Sequence, residues 1–188
     1  MANRPPRRKA PPLDQRKLEE LALTYVGRFA TSRAKLRTYL RRKLRERGWA
    51  GETEPNPEAV ADRCASLGYI DEPGLALSKA QGLASRGYGK RRLLDTLRRD
   101  GIAEEDSEAA RQHSDRETIR SALRFAERRR LGPFAAEQAA DRHQIEKAIA
   151  AMIRAGHGFA LARAIASLPP GSDVDPDQLA NSARLSDS

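Results

Sequence analysis

The residues of this sequence best suited to a functional role are arginines at helical spacing, and that role is the binding of anions. Arg37, Arg41 and Arg45 recur every four residues. A helix would therefore place them on one face, beside a stripe of leucines. Like charges aligned in this way repel each other by about 0.2–0.5 kcal/mol per pair, and a bound anion would relieve that repulsion. The spacing predicts a helix face that binds an acidic partner.

A second basic group lies on and before a helix predicted at 90–100. Acidic residues instead precede the helices predicted at 57–68 and 104–112, where they complement the helix dipole. The first fifty residues hold 15 Lys and Arg against 4 Asp and Glu, so they are more positive than the whole chain at +9. The residues predicted to bind a partner are Arg33, Arg37, Arg41, Arg42, Arg45, Arg86, Lys90, Arg91, Arg92, Arg98 and Arg99.

Residue types that catalyse reactions or bind metals are few and scattered. His113 falls in a different predicted repeat from His143 and His157, none of the three belongs to an HExxH pair or a nucleophile signature, and we interpret them as surface or helix-cap residues. Cys64 lies at helical spacing with Val60, which favours a small buried apolar side chain over a nucleophile. We therefore expect no enzyme activity, no catalytic residue, no metal and no cofactor.

Two segments resemble ligand-binding loops but lack the required spacing. The run at 87–90 contains glycines and a lysine, yet it lacks the GxxxxGK[ST] pattern and follows a helix where a phosphate loop follows a strand. The acidic run at 173–177 lacks the glycine and the final glutamate of a calcium loop. We interpret the first as a turn between helices and the second as part of a tail.

The overall composition favours helices. Ala occurs 31 times, whereas Val, Ile and Thr together occur 16 times, which excludes a β-sandwich or barrel. No apolar stretch approaches the roughly 20 residues that a bilayer span needs, and the N-terminus lacks the apolar centre of a secretory signal. We expect a cytoplasmic protein with no membrane partner.

Local signals set the ends of the predicted helices. Ser32 is a predicted N-cap, and Gly48, Gly101 and Gly156 each follow a core residue by four positions, as a left-handed helix cap requires. These glycines are 53 and 55 residues apart, a period that fits three helices per repeat. The rings of the aromatic residues at 49 and 69 are expected to pack back on the preceding turn.

The period predicts an all-α protein in which three tandem three-helix repeats form an elongated, curved array. The predicted domains are a disordered basic tail at 1–16, repeats at 17–70, 71–113 and 114–168, and a disordered acidic tail at 169–188. The predicted helices are 17–30, 32–47, 57–68, 73–86, 90–100, 104–112, 115–131, 136–155 and 157–168.

Three stretches together resemble the RecX family of bacterial recombination regulators. They are SRAKLRTYLRRKL at 32–44 with RGW at 47–49, LGYID at 67–71, and RGYGKRRL at 86–93 ending in GI at 101–102. The match is good over about 20–110 and weaker beyond it. The resemblance implies a small basic protein of tandem three-helix repeats with no enzymatic activity of its own.

The same resemblance implies a partner, the RecA recombinase and chiefly the RecA–DNA filament. The protein would lie in the filament groove and inhibit ATP hydrolysis, strand exchange and co-protease activity, which would modulate recombination, DNA repair and the SOS response. We expect a monomer that also contacts single- or double-stranded DNA. Two alternatives stay open on the residues alone: a general DNA-binding protein that acts through phosphate contacts, and a scaffold for acidic partners unrelated to DNA.

Overall fold

The computed structural model describes residues 11–139 and 141–185, and its regular elements there are helices, apart from one isolated bridge between Leu13 and Trp49. The prediction of an all-α protein is confirmed. The helices are α1 (Gln15–Val26), α2 (Arg33–Arg47), α3 (Pro57–Ser66), α4 (Glu72–Ser85), α5 (Lys90–Asp100), α6 (Glu108–Arg116), α7 (Thr118–Arg129), α8 (Arg142–Arg154), α9 (Phe159–Ala166) and α10 (Pro176–Leu185), with short 3₁₀ turns at Glu105–Ser107 and Gly132–Phe134.

Each of the nine predicted helical segments overlaps one of α1–α9. The chain groups into two compact units, the first running up to Leu75 and including Asp100–Ile102, the second comprising Ala76–Arg99 and the residues from Ala103 onward. The arrangement of three tandem repeats in a curved array stays a prediction.

Side-chain caps explain where several helices begin. Ser32 lies before α2, and its hydroxyl oxygen accepts a hydrogen bond from the backbone N–H of Lys35, which confirms the predicted N-cap. Asp141 caps α8 in the same way by accepting from the N–H of Gln144 at 2.9 Å. This cap starts α8 at Arg142, six residues later than the predicted start at 136.

The core of the first unit is formed by the apolar faces of α1, α2 and α3. Leu18, Leu36 and Leu40 are fully buried there, together with Val60 and Cys64 of α3. Burial raises the pKa of the Cys64 thiol, so this side chain behaves as the small apolar group that its spacing predicts. The leucine stripe of α2 therefore belongs to the core, and it fixes which face of α2 carries the arginines.

Two predictions in the first unit are wrong. Residues 11–16 were assigned to a disordered tail, but Leu13 is fully buried, its backbone bonds to Gly48 and Ala50, and Asp14 caps α1. Residues 1–10 of the predicted tail lie outside the described residues. Tyr69 was expected to pack on the preceding turn, but 53% of its surface is exposed.

The core of the second unit is formed chiefly by α7, α8, α9 and α10. Phe125, Met152 and Ile165 are buried at its centre, and Leu179 of α10 is buried against them. The assignment of 169–188 to a disordered tail is therefore wrong for α10, because an apolar side chain of that helix completes the core. The last three residues of that predicted tail lie outside the described residues.

The turn between α4 and α5 meets the turn after α8 through direct backbone contact. The N–H of Gly89 donates to the carbonyl of Ala155 at 2.9 Å, and the N–H of Arg91 donates to that of Gly156 at 3.2 Å. Gly156 has φ +98°, and a Cβ there would lie 2.5 Å from the Arg92 nitrogen. Only glycine fits this crossing, because both the backbone conformation and the space exclude a side chain.

His157 stabilises the same crossing from within the core. Its Nε2–H donates to the carbonyl of Gly87 at 3.0 Å, and only 2% of its surface is exposed, so it is not a surface residue. Its backbone N–H donates to the carbonyl of Met152 at the end of α8, in agreement with the helix-cap alternative of the prediction. Its Nδ1 has no hydrogen-bond partner among the described residues. Burial is the main cause that lowers the pKa of this imidazole, while the bond to Gly87 opposes the shift.

Replacing Gly156 is expected to destabilise the second unit far more than replacing Gly171. Both glycines have positive φ, but a Cβ at Gly171 would meet nothing within 4 Å. We expect Gly171→Ala to lose about 1–2 kcal/mol from the backbone conformation alone, and Gly156→Ala to lose about 3 kcal/mol or more. Urea unfolding followed by circular dichroism measures both; equal losses would show that the close backbone contact is not formed.

Acidification is expected to destabilise the second unit through His157. The unfolded chain binds a proton at the ordinary pKa near 6.5, whereas the buried ring binds one only at lower pH. The stabilisation is therefore complete above pH 6.5 and is lost as the pH falls through the lowered pKa. NMR titration of the imidazole, with exposed His143 as the internal comparison, measures the shift directly; a His157 that titrates at or above pH 6.5 would contradict this account.

Candidate partner-binding surface

The predicted partner-binding residues fall into two groups, one in each unit. Arg33 and the four arginines Arg37, Arg41, Arg42 and Arg45 lie on α2 in the first unit. We call those four the α2 basic face. The second group, on and before α5, belongs to the second unit and consists of Arg86, Lys90, Arg91, Arg92, Arg98 and Arg99.

The start of α2 is anchored by two buried acidic residues. Arg33 donates from its backbone N–H to Glu72 Oε1 at 3.0 Å and from its Nε to Oε2 at 2.6 Å, and only 5% of the Glu72 side chain is exposed. Lys35 forms an ion pair of 2.6 Å with Asp100, whose backbone carbonyl accepts a hydrogen bond from Ser32 Oγ. Arg33 thus has an internal role that its sequence position did not predict.

The four arginines of the α2 basic face differ in what they contact. Arg41 forms an ion pair with Glu58 of α3, although more than half of its side chain is exposed. The guanidinium carbon of Arg42 lies 5.6 Å from the centroid of the Tyr39 ring. Arg37 and Arg45 have no hydrogen bond or ion pair within the described part of the chain, so both can bind a partner without breaking an internal contact.

The Tyr39 ring packs beside the basic side chains of α2. Its ring stacks on that of Tyr25 with the centroids 4.4 Å apart, and Lys43 lies 5.9 Å from it on the same helix. Cations at this distance from an aromatic ring are attracted by its negative face. The pair of stacked tyrosines therefore restricts where the basic side chains beside it can move.

Glu46 is the one acidic residue within α2. The hydrogen bond from Lys43, 2.7 Å long, is the main cause that holds the pKa of Glu46 below its usual range, and Arg42 and Arg45 add to the effect. Glu46 is therefore ionised at neutral pH and offsets part of the positive charge at the end of α2.

Three residues of the second group contact neighbours. Lys90 forms an ion pair with Asp115 at 2.7 Å, and Arg98 pairs with Asp95 at 3.0 Å. Arg86 donates from Nε to the carbonyl of Gly82 at 2.8 Å. These pairs are largely exposed to solvent and contribute little to stability, so a stronger anion can replace them.

Arg91, Arg92 and Arg99 are exposed. Arg91 and Arg99 make no side-chain hydrogen bond or ion pair among the residues that the structure describes. Arg92 lies 5.8 Å from the Tyr88 ring centroid and lines a groove with residues that sequence reasoning missed, Arg128, Arg129 and Arg154. The run of three arginines at 128–130 was the available signal in the sequence, although basic residues in a last helical turn also have an ordinary explanation.

The arrangement as a whole suits the binding of anions. Within the described ranges, no group of three or more His, Cys, Asp or Glu side chains is placed to hold a metal ion. A search of the same residues finds no helix both long and apolar enough to cross a membrane. Guanidinium groups that project from helices can form charge-assisted, bidentate hydrogen bonds with carboxylates or phosphates.

Comparison with curated proteins finds several relatives that share one name. Regulatory protein RecX of Myxococcus xanthus is 26% identical over 163 residues, which cover 81% of this chain and 86% of that protein. The RecX protein of Mycobacteroides abscessus is 34% identical over 56% of this chain and 50% of its own length, and that of Mycobacterium sp. strain KMS is 38% identical over 46% of each. The resemblance to the RecX family is confirmed. No family model matches the chain.

The RecX relatives are named as regulatory proteins, which agrees with a protein that is not an enzyme. This chain spans about half the length of the two mycobacterial RecX proteins and most of the Myxococcus one. The described basic groups therefore belong to a protein that resembles known regulators.

Replacing Arg33 is expected to destabilise the first unit, whereas replacing Arg37 is not. Arg33→Ala leaves the buried carboxylate of Glu72 without its main side-chain partner, and we expect a loss of about 1–2 kcal/mol after allowing for the partial exposure of Arg33. Arg37→Ala removes no internal ion pair and should change the free energy of unfolding by less than about 0.5 kcal/mol. Urea titrations compare the two; an Arg33→Ala protein as stable as the parent would remove this internal role.

Proposed function

We propose that this chain is a non-enzymatic regulator that binds the RecA recombinase filament and inhibits its ATPase, strand-exchange and co-protease activities. The RecX relatives support the regulatory role, and the unpaired arginines of the α2 basic face support an acidic partner. The observation that carries the proposal is the position of Arg37 and Arg45 on a helix whose apolar side packs in the core. Neither side chain forms a hydrogen bond or ion pair with the residues that the structure describes.

The binding would depend on charge-assisted hydrogen bonds to carboxylates of the recombinase. Arg37 and Arg45 would make them directly, and Arg41 would exchange Glu58 for a partner carboxylate. An exposed pair such as Arg41 with Glu58 contributes at most about 1 kcal/mol, so this exchange is not costly. The unbalanced charge at the start of the chain would also speed the encounter with a negatively charged filament.

Inhibition would follow from occupation of the filament. A filament presents the same acidic surface on successive subunits, so a protein with more than one basic group can engage neighbouring subunits at once and gain affinity by avidity. The α2 basic face and the group on α5 would each contribute such a contact. A subunit held in this way would exchange less readily, which would destabilise the filament or block its extension.

Reversing two charges on the α2 basic face is expected to weaken filament binding. Arg37→Glu with Arg45→Glu places like charges opposite the acidic partner, and we expect at least about tenfold weaker binding and a matching loss of ATPase inhibition. Fluorescence anisotropy with RecA assembled on single-stranded DNA measures the affinity. Circular dichroism checks that the helix content is unchanged.

The matched control reverses the same number of charges on other helices of the first unit. Arg16→Glu with Arg63→Glu changes exposed residues of α1 and α3 and should bind filaments like the parent protein. If both double variants weaken filament binding equally, the effect is due to net charge and not to the α2 basic face. Naked duplex DNA bound as tightly as the filament would overturn the proposal in favour of a general DNA-binding protein.

A further inference from the structure

A groove in the second unit gathers four arginines, none of which forms an ion pair with the residues that the structure describes. It encloses about 480 Å³ and is lined by the last turn of α7, the end of α8, the first turn of α5 and the turn before α5. None of the lining residues that the structure describes is acidic. The lining residues are Tyr88, Arg92, Phe125, Arg128, Arg129, Ala151, Arg154 and Ala155.

The backbone beneath this arginine groove is held firmly. Gly89 donates to the carbonyl of Ala155, which itself lines the groove, and His157 bonds to the carbonyl of Gly87. A Cβ at Gly87 would lie 2.8 Å from the backbone nitrogen of Phe125, so the turn before α5 also lies directly against α7. Three elements are thus fixed to one another, so the backbone positions that carry the arginines need no rearrangement when a ligand binds.

Two aromatic rings orient the guanidinium groups. The guanidinium carbon of Arg128 lies 5.9 Å from the ring centroids of both Tyr88 and Phe125, and that of Arg92 lies 5.8 Å from the Tyr88 centroid. Cation–π attraction holds these side chains beside the rings while their N–H groups stay available to oxygen atoms. The positions are therefore prepared for an anion.

Local helix electrostatics explains only part of the groove. Arg128, Arg129 and Arg154 lie in the last turns of α7 and α8, where positive charge complements the helix dipole. Arg92 lies in the first turn of α5, where the dipole is unfavourable to a cation, and it lines the same groove as the other three arginines. A bound anion would offset both the unfavourable interaction of Arg92 with the helix dipole and the repulsion among the four arginines.

We propose that this groove binds the sugar–phosphate backbone of a single DNA strand. Guanidinium groups match the geometry of phosphate oxygens, and the lining has no amide, hydroxyl of Ser or Thr, or carboxylate. It therefore has no carboxylate to share the Mg²⁺ that accompanies a nucleoside triphosphate. We expect the contacts to be made chiefly with phosphates and to depend little on base sequence.

This site is separate from the α2 basic face, because every residue that lines it belongs to the second unit. It goes beyond the proposed function, which rests on contacts with an acidic protein surface. The two sites are distinguishable by mutation, since α2 variants should lose filament binding and groove variants should lose binding to the naked strand.

Anisotropy of a short fluorescein-labelled oligothymidylate, titrated with the full chain, tests the groove. Arg128→Ala with Arg154→Ala removes two phosphate contacts and should weaken binding by roughly tenfold for each contact. The slope of log affinity against log salt should become shallower by about 1.4, from about 0.7 for each single-strand contact. Circular dichroism and the unfolding midpoint show whether the variant keeps its fold.

The matched control removes two exposed arginines of the same unit outside the groove. Arg120→Ala with Arg142→Ala causes the same change in net charge, and the side chains are 74% and 91% exposed. This variant should bind the oligonucleotide within about twofold of the parent, since charges outside the contact are screened at physiological salt. Arg128→Lys with Arg154→Lys keeps the charge and should bind more tightly than the double alanine variant.

Three results would overturn the assignment. Equal weakening by the groove and control variants would leave only a general charge effect. Saturable binding of Mg²⁺–ATP that competes with the oligonucleotide and disappears in the groove variant would assign the groove to a nucleotide. A polyglutamate peptide that binds the groove as tightly as the oligonucleotide would assign it to acidic protein.

Discussion

Close approach of helix backbones is the constraint on which this structure depends. The chain has few large apolar residues, and fully buried alanines such as Ala22, Ala61, Ala122 and Ala162 take their place in both cores. A small side chain buries little area, so helices gain stability only by lying near one another. The contact of Gly89 with Gly156 is the extreme case, because there the backbones themselves touch.

This constraint separates the residues that fold the protein from those that bind a partner. Buried acids such as Glu72 and Asp100 hold basic residues at the start of α2, where an unpaired carboxylate would be costly. Farther along the helix the buried leucines secure most of the packing, and Arg37 and Arg45 form no hydrogen bond or ion pair with the described residues. The basic charge that remains is the charge that a partner can use.

Much of the helical architecture follows from local sequence signals. The N-cap at Ser32, the leucine spacing of α2 and the positive φ of Gly48, Gly101 and Gly156 are all present as predicted, because each depends on residues within one or two turns. The last helix was missed although Asp175 and Pro176 form an ordinary helix start. Its place in the core depends on Leu179 meeting α7 and α9, and no local pattern reports that contact.

The candidate site was predictable in part for the same reason. Spacing identified the row of arginines on α2, but it could not show that Arg33 is paired with Glu72, 39 residues away. The run of arginines at 128–130 was visible in the sequence, but the groove was not, since Arg92, Arg128 and Arg154 come from three helices that are distant along the chain. Ion pairs with residues distant in the sequence decide which of the many basic residues are available to a partner. These pairs form only when the unit folds.

The most direct test of the central claim is the affinity of the parent protein for the RecA–DNA filament measured over a series of salt concentrations. If exposed arginines dock on a negatively charged polymer, the affinity falls linearly on a log–log plot and drops by more than about tenfold between roughly 50 and 200 mM salt. An affinity that stays constant across that range would contradict the account, because binding would then rest on contacts other than charge.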